Sequence, residues 1–157
     1  MKLSTKGRYG LQALIDLAVY SENEAVPIHS IAKRQSISDS YLEQLVRSLR
    51  KAGLVMSVRG AGGGYQLAKP AHLITVGETL RALEGDLDAV TCRGLITADG
   101  EGEEACRDAS TCVTKHVWKQ INDSIARAVD TITIGELADE SREMIKKGQI
   151  CSQKCEQ

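Results

Sequence analysis

Two short alternating segments, Leu54-Val55-Met56-Ser57-Val58 and Tyr65-Gln66-Leu67, flank the run Arg59-Gly60-Ala61-Gly62-Gly63-Gly64. Four glycines in five positions oppose a helix and permit positive φ and close backbone approach. Alternation of apolar and polar residues on both sides has the period of a strand. The stretch therefore predicts a β-hairpin with a glycine-rich tip. A loop cradling the phosphates of a nucleotide is the competing reading. It is disfavoured because the run precedes a strand, not a helix, and lacks the Gly-Lys-Ser/Thr ending.

Upstream, the period becomes helical. Residues 5–21 place Tyr9, Leu11, Leu14, Ile15, Leu17 and Ala18 on one face, with Ser4 or Thr5 as cap, and Asn23 to Pro27 end the helix. Ile28 to Gln35 predicts a short second helix, and Ser36-Ile37 a tight connection. Ser38 caps a third helix through Ala52, in which Tyr41, Leu42, Leu45, Val46 and Leu49 recur at three- and four-residue intervals before Gly53 closes it. Helix, short turn and helix form a helix-turn-helix, whose second member lies in the major groove of DNA, and the hairpin then serves as its wing.

The outer face of the third helix suits that role. Ser40, Glu43 and Gln44 supply polar groups that reach base edges, and Arg47, Arg50 and Lys51 supply cations for phosphates. Arg59, at the base of the wing, suits a narrow minor groove. An ordinary solvated helix face is the bland alternative. Charge leans the same way: residues 1–70 hold ten Lys and Arg against five Asp and Glu, and residues 71–157 hold ten against sixteen. A basic half and an acidic half underlie the overall charge of −1.

With 157 residues, no Phe and one Trp, the chain has room for one aliphatic core with an extension, and a mostly α fold follows. No apolar run is long enough to span a membrane, and Met1 to Lys6 lacks a secretory apolar region. A cytoplasmic location is expected. There, five cysteines are more plausibly ligating or redox-active than disulfide-bonded. No acid–base pair or nucleophile constellation suggests an enzyme or a small-molecule substrate.

After Pro70, Thr75 caps a helix through about Glu84, with Glu78 as capping-box partner and Val76, Leu80 and Leu83 facing inward. From about Thr111 to Thr131, the residues Val117, Ile121, Ile125, Ala128, Val129 and Ile132 form an apolar stripe. Roughly twenty helical residues span about 30 Å. A small winged domain cannot cover such a helix, so the stripe is expected to pack on its copy in a homodimer; the alternative is a helix folded back on its own domain. Residues 134–147 predict a last helix ending at Gly148. The expected divisions are a winged helix-turn-helix domain at 1–84, a cysteine-bearing loop at 85–111, the dimerisation and C-terminal helices at 112–148, and a mobile tail at 149–157.

Cys92, Cys106 and Cys112 fall in the glycine-rich segment between two helices, with His116 four residues beyond the last. Soft thiolates select iron-sulfur clusters, zinc or Cu(I), and the spacing is not the paired pattern of a zinc ribbon. Three Cys and one His also satisfy tetrahedral zinc. Cys151 and Cys155 near the end form a further pair, redox-active, chelating or incidental.

Three runs carry a resemblance: Lys2-Leu3-Ser4-Thr5-Lys6-Gly7-Arg8-Tyr9, Ser38-Asp39-Ser40-Tyr41-Leu42-Glu43-Gln44-Leu45 and Val58-Arg59-Gly60-Ala61-Gly62-Gly63-Gly64-Tyr65. Together they resemble the IscR-type regulators of iron-sulfur cluster biogenesis, over nearly the whole chain to about residue 140. The resemblance implies a dimeric winged-helix transcription factor, reading a palindromic operator in double-stranded DNA. It further implies that a [2Fe-2S] cluster, held by three cysteines and a histidine, governs DNA affinity or site choice. Ser40, Tyr41, Glu43, Gln44 and Arg59 are the reading positions it implies; Ser38, Arg47, Arg50 and Gly60 complete the candidate set. A carboxylate at Glu43 accepts from cytosine N4 and repels phosphate, so it can reject sites as well as select them.

The chain departs from that pattern in two places. Cys106 to Cys112 keeps the family's spacing, whereas thirteen residues separate Cys92 from Cys106, including an insertion from Leu95 to Ala105 with Gly100, Gly102 and four acids. In cluster-binding relatives the histidine follows the last cysteine at three residues, where this chain has Lys115; His116 comes one later. Arg8 stands where nitric-oxide-sensing relatives carry an aspartate, and a cysteine-metabolism branch lacks the three-cysteine set. The expected function is repression of cluster-biogenesis genes. The alternatives are a zinc- or thiol-redox-responsive regulator, or one acting through a protein partner such as a cysteine-metabolism enzyme.

Overall fold

The computed structural model describes residues 4–21, 24–90, 92, 95 and 111–148. Among them are helices α1 (Thr5–Tyr20), α2 (Ile28–Gln35) and α3 (Asp39–Lys51), then strands β1 (Val55–Val58) and β2 (Gly64–Leu67). A short 3-10 turn, Ala71–Leu73, leads to α4 (Val76–Glu84), and the long α5 (Thr114–Thr131) and final α6 (Ile134–Lys146) follow. No helix among the described residues is long and apolar enough to cross a membrane. Cys106, most of the insertion, Cys151, Cys155 and the tail at 149–157 lie outside the described residues.

Local chemistry accounts for each boundary. The Ser4 hydroxyl accepts from Lys6 N, and Ser38 from Tyr41 N, each satisfying a donor that the first helical turn leaves unpaired. Ser36 adopts the left-handed conformation between α2 and α3, at φ 55°, and Gly53 does so after α3, at φ 73°. Thr75 accepts from Glu78 N as expected, but the reciprocal arm of the capping box is diverted. The Glu78 carboxylate instead takes two hydrogen bonds from Lys69 Nζ, at 2.7 and 2.9 Å, because a cation from the end of the wing stands beside it. A complete capping box does form at α6, between Thr133 and Glu136.

One aliphatic core unites these elements. Leu14, Leu17, Ile31, Leu42, Leu49, Leu54, Ile74 and Ile134 are fully buried, each contributing about 1.5–3 kcal/mol by leaving water. The final helix belongs to that core: Ile134 and Ala138 join it, and Arg142 donates to the Ala18 carbonyl at the far end of α1. The ring of His72 lies where a Cβ on Gly135 would stand, which lets α6 approach the 3-10 turn.

Helix α1 meets α4 through Gly7 and Gly10. A side chain at Gly10 would collide with Leu83, and one at Gly7 with the Glu84 carboxylate. Glu84 uses that approach, accepting from Ser4 Oγ at 2.5 Å and from Gly7 N at 2.7 Å, so a residue of α4 caps the start of α1. The Ser4 hydrogen bond and the Gly7 N–H hold its carboxyl below the usual carboxylate range, against the opposing effect of burial. Such a group stabilises the fold above its unfolded pKa, and the stabilisation fades as pH falls through the lower folded value. Glu84→Gln is therefore expected to melt lower than the parent at neutral pH, with the gap closing towards acid. Thermal melts across that range check it; a gap constant with pH would exclude the carboxylate as its source.

The long helix has two faces, and this divides the apolar stripe expected from sequence. Ile125, Ala126 and Val129 are half-buried on the side towards α4, in line with Trp118, Asn122 and Lys115. Val117, Ile121 and Ala128 face outwards and are exposed, as is Ile132 just beyond the helix. Position 117 to 121 to 128 and position 118 to 122 to 125 follow separate helical rows, so one run of apolar residues serves two surfaces. The C-terminal end of α5 is fastened twice. Arg81 of α4 pairs with Asp130 through two hydrogen bonds, at 2.6 and 2.9 Å, and the backbone between 132 and 134 bridges that of 74 to 76.

Candidate nucleic-acid interface and cysteine site

Helix α3 divides cleanly. Leu42, Leu45, Val46 and Leu49 are buried, which forces Ser40, Glu43, Gln44, Arg47 and Arg50 outwards, all exposed. The helix begins with the capping residue Ser38, so the positive end of its dipole accompanies the residues at its start. A phosphate or a base-edge acceptor is favoured there.

Tyr41 differs from its neighbours in being half-buried. Its ring meets Tyr9 of α1 edge-on, with centroids 6.1 Å apart, and the Arg8 guanidinium lies 5.0 Å from the Tyr9 centroid. An edge-to-face pair of this kind holds both rings. Arg8 and Tyr9 thereby join the surface around α3, a connection the helical period of α1 did not reveal. Their sequence signal was the run Lys6-Gly7-Arg8-Tyr9, whose role is apparent only once α1 crosses α3. His29 lies with Nδ1 3.1 Å from Asp39 Oδ2, joining the first turns of α2 and α3. Both side chains are exposed, so the pair contributes little to stability.

A second pair sits behind the interface. Arg34 of α2 forms a two-pronged contact with Asp16 of α1, at 2.7 and 2.6 Å, and stacks over Tyr20. Burial pushes the Asp16 carboxyl above its usual range despite the guanidinium, while the hydrogen bond to Asp16 keeps Arg34 firmly cationic.

The wing is antiparallel, with Val55 opposite Leu67 and Val58 opposite Gly64. Val26, between α1 and α2, supplies a third edge: it exchanges two backbone hydrogen bonds with Tyr65, both at 2.9 Å. That contact explains Gly64, since a Cβ there would enter the Val26 carbonyl and Pro27 N at 2.8 Å. Gly60 takes φ 115°, turning the chain after Arg59, and Gly63 N closes the tip on the Gly60 carbonyl at 3.0 Å. Arg59 is exposed and has no acidic partner among the described residues. Sequence pattern found the hairpin; the Val26 strand, a single bridging residue, carried no pattern to find.

The cysteine site is described in part. Cys112 is half-buried just ahead of α5, with Sγ 3.1 Å from Thr114 Oγ1. His116 is exposed in the first turn of α5, whereas Lys115 is half-buried on the row it shares with Trp118 and Asn122. Cys92 is half-buried. The backbone just before it is held by Asn122, whose side chain accepts from Ala89 N at 3.0 Å and donates to the Val90 carbonyl at 3.1 Å. Among the described residues no group of three or more His, Cys, Asp or Glu forms a metal-sized cluster. Cys106, the remaining candidate ligand, is not among them.

A family model for Rrf2, described as an iron-dependent transcriptional regulator, matches residues 3–140. The chain belongs to the Rrf2 family. It is 44% identical over 137 residues to the HTH-type transcriptional regulator IscR of Vibrio campbellii, a match covering 87% of this chain and 77% of that protein. It is 43% identical over 139 residues to IscR of Cronobacter sakazakii, covering 88% and 81%. Among solved structures, T. potens IscR superposes with a TM-score of 0.69 at 42% identity, over 91% of this chain and 90% of that one. CymR, the global cysteine regulator of B. subtilis, superposes at 0.71 with 38% identity, over 89% and 98%. This Rrf2-family chain is thus a winged-helix transcriptional regulator, and its relatives are named as regulators, not as enzymes. DNA is its partner.

Proposed function

We propose that the chain binds a palindromic operator as a homodimer and represses iron-sulfur cluster biogenesis genes, with its affinity or site choice set by a [2Fe-2S] cluster. The reading rests on the combination on one chain of α3's exposed polar face, an Arg59 on the wing with no acidic partner among the described residues, and two half-buried thiols, Cys92 and Cys112, the second at the head of α5. Ser38, Ser40, Tyr41, Glu43, Gln44, Arg47, Arg50, Arg59 and Gly60 form the DNA-contacting surface. The outward row of α5, with Val117 and Ile121 exposed, is the surface that a second copy covers.

Cys92, Cys106, Cys112 and His116 would hold the cluster. The donor chemistry fits: soft thiolates, two of them half-buried, with one imidazole exposed in the first turn of α5. When bound, such a group supplies a redox- and oxygen-sensitive link between segments of the chain. The protein's own part is mechanical. The far end of α5 is fastened to α4 by Arg81 and Asp130, and α4 to the start of α1 by Glu84. The ring of Tyr9 on α1 then abuts Tyr41 on α3, so a change at the head of α5 has a continuous packed route to the reading helix.

A second reading is a regulator of the same fold that responds to zinc, thiol oxidation or a cysteine-metabolism enzyme; the likeness to CymR, a global cysteine regulator, supports its link to cysteine. One experiment separates them: anaerobic purification and assay of iron, sulfide and zinc, then operator titration of apo and reconstituted protein. Equimolar iron and sulfide with a change in affinity or site preference supports the cluster. Identical binding by the two forms would refute cluster control, and zinc without sulfide would favour the second reading.

A further inference from the structure

We infer that Asn122 is the residue that positions Cys92 against α5. Its carboxamide grips the backbone of two successive residues, accepting from the Ala89 N–H and donating to the Val90 carbonyl, both contacts being partly buried. A carboxamide offers an acceptor and a donor on one short planar group; aspartate retains the acceptor alone and leucine neither. Leu87, just upstream, is 6% exposed and belongs to the core, so the segment is anchored first by burial and then by Asn122.

The consequence for Cys92 follows from chain lengths. It lies two residues beyond Val90, within roughly 7 Å at full extension. Asn122 stands six residues after His116, roughly 9 Å along the helix axis. Asn122 stands at the middle of α5, so the clamp keeps the Cys92 thiol close to the middle of the helix that Cys112 precedes. Without the clamp the nearest upstream residue of the core among the described residues is Leu87, and gathering the thiol with the other candidate ligands would cost more chain entropy. An outer residue that fixes a ligand-bearing segment is a common requirement of metal sites. Asn122 shares its row with half-buried Trp118 and Lys115, so this row faces the incoming segment, and the exposed His116 stands to one side of it.

This inference rests on the reading of Cys92 as a cluster ligand, but its primary test does not. In the reduced apo-protein, alkylation of Cys92 by iodoacetamide is followed by peptide mass spectrometry, with Cys112 as internal reference. Asn122→Leu is expected to raise the Cys92 rate about five-fold or more relative to Cys112, the change that loss of one or two hydrogen bonds makes in a local opening equilibrium. Asn122→Asp, keeping one bond, is expected to fall between, and apo-protein binding to operator DNA to stay unchanged. In reconstituted protein the chelator-driven loss of iron is expected to quicken by a similar factor. An unchanged Cys92 to Cys112 ratio in the Leu variant, with helicity intact by circular dichroism, overturns the proposal. Should the Leu variant lose helicity, an unchanged ratio in the Asp variant overturns it instead. Release of Cys92 in a protein that takes up no cluster supports the clamp and removes the cluster reading.

Discussion

Anaerobically purified Cys112→Ala is expected to contain iron and sulfide only at background, while its circular dichroism and melting temperature stay close to those of the parent. The two halves of that expectation come from different parts of the structure. Cys112 lies outside the aliphatic core, half-buried ahead of α5, so its truncation leaves no large cavity. Substitutions at such places cost about 0.5 kcal/mol or less. A cluster iron that loses a thiolate, by contrast, has no described cysteine nearby on α5 to replace it. The head of α5 also favours an anionic centre, because the first N–H groups of a helix and its dipole stabilise negative charge there. His116→Ala is expected to have a partial effect, with faster loss of the cluster but measurable uptake. Full iron and sulfide in Cys112→Ala would remove Cys112 from the ligand set and with it the proposed placement of the cluster.

Arg59→Ala is expected to weaken operator binding about ten-fold at moderate salt, and to lower the slope of log K against log salt by about one. Fluorescence anisotropy titrations at several salt concentrations measure both. Arg59 follows β1 directly and is turned out by the positive φ of Gly60, with no acidic partner among the described residues, so its charge is available to DNA. Its removal disturbs no side-chain hydrogen bond among the described residues, and the loss can be assigned to the interface and not to the fold. Binding by Arg59→Ala that matches the parent at every salt concentration would remove the wing tip from the DNA surface.

Much of the architecture was legible because it is written in local rules. Ser38 and Thr75 announced helix starts by the chemistry of capping, and Gly53 a helix end. Leu42, Leu45, Val46 and Leu49 announced a buried face, which by elimination exposed Ser40, Glu43 and Gln44. The glycine run announced the hairpin. What stayed hidden was non-local. Glu78 looked like a capping-box partner, yet Lys69 from the wing takes its carboxylate. Glu84 looked like the end of a helix, yet it caps another helix 80 residues away in sequence. The stripe on α5 looked single, yet Ile125 and Val129 turn to α4 while Val117 and Ile121 remain uncovered. Period alone cannot separate two apolar rows that lie one residue apart on a helix.

The candidate site shows the same division. Residue types and order were enough to determine a winged helix-turn-helix and to propose its reading helix, a basic wing and a set of soft thiol donors, because capping, periodicity and donor chemistry act within a few residues. Tertiary structure alone decided that Tyr9 braces Tyr41, that Val26 completes the wing, that α6 returns to α1, and that Asn122 holds the approach to Cys92. Each of those contacts joins segments whose spacing in sequence carries no period. They exist only because burial of one aliphatic core brings the segments together, after which the polar groups at its margin must find partners across the fold.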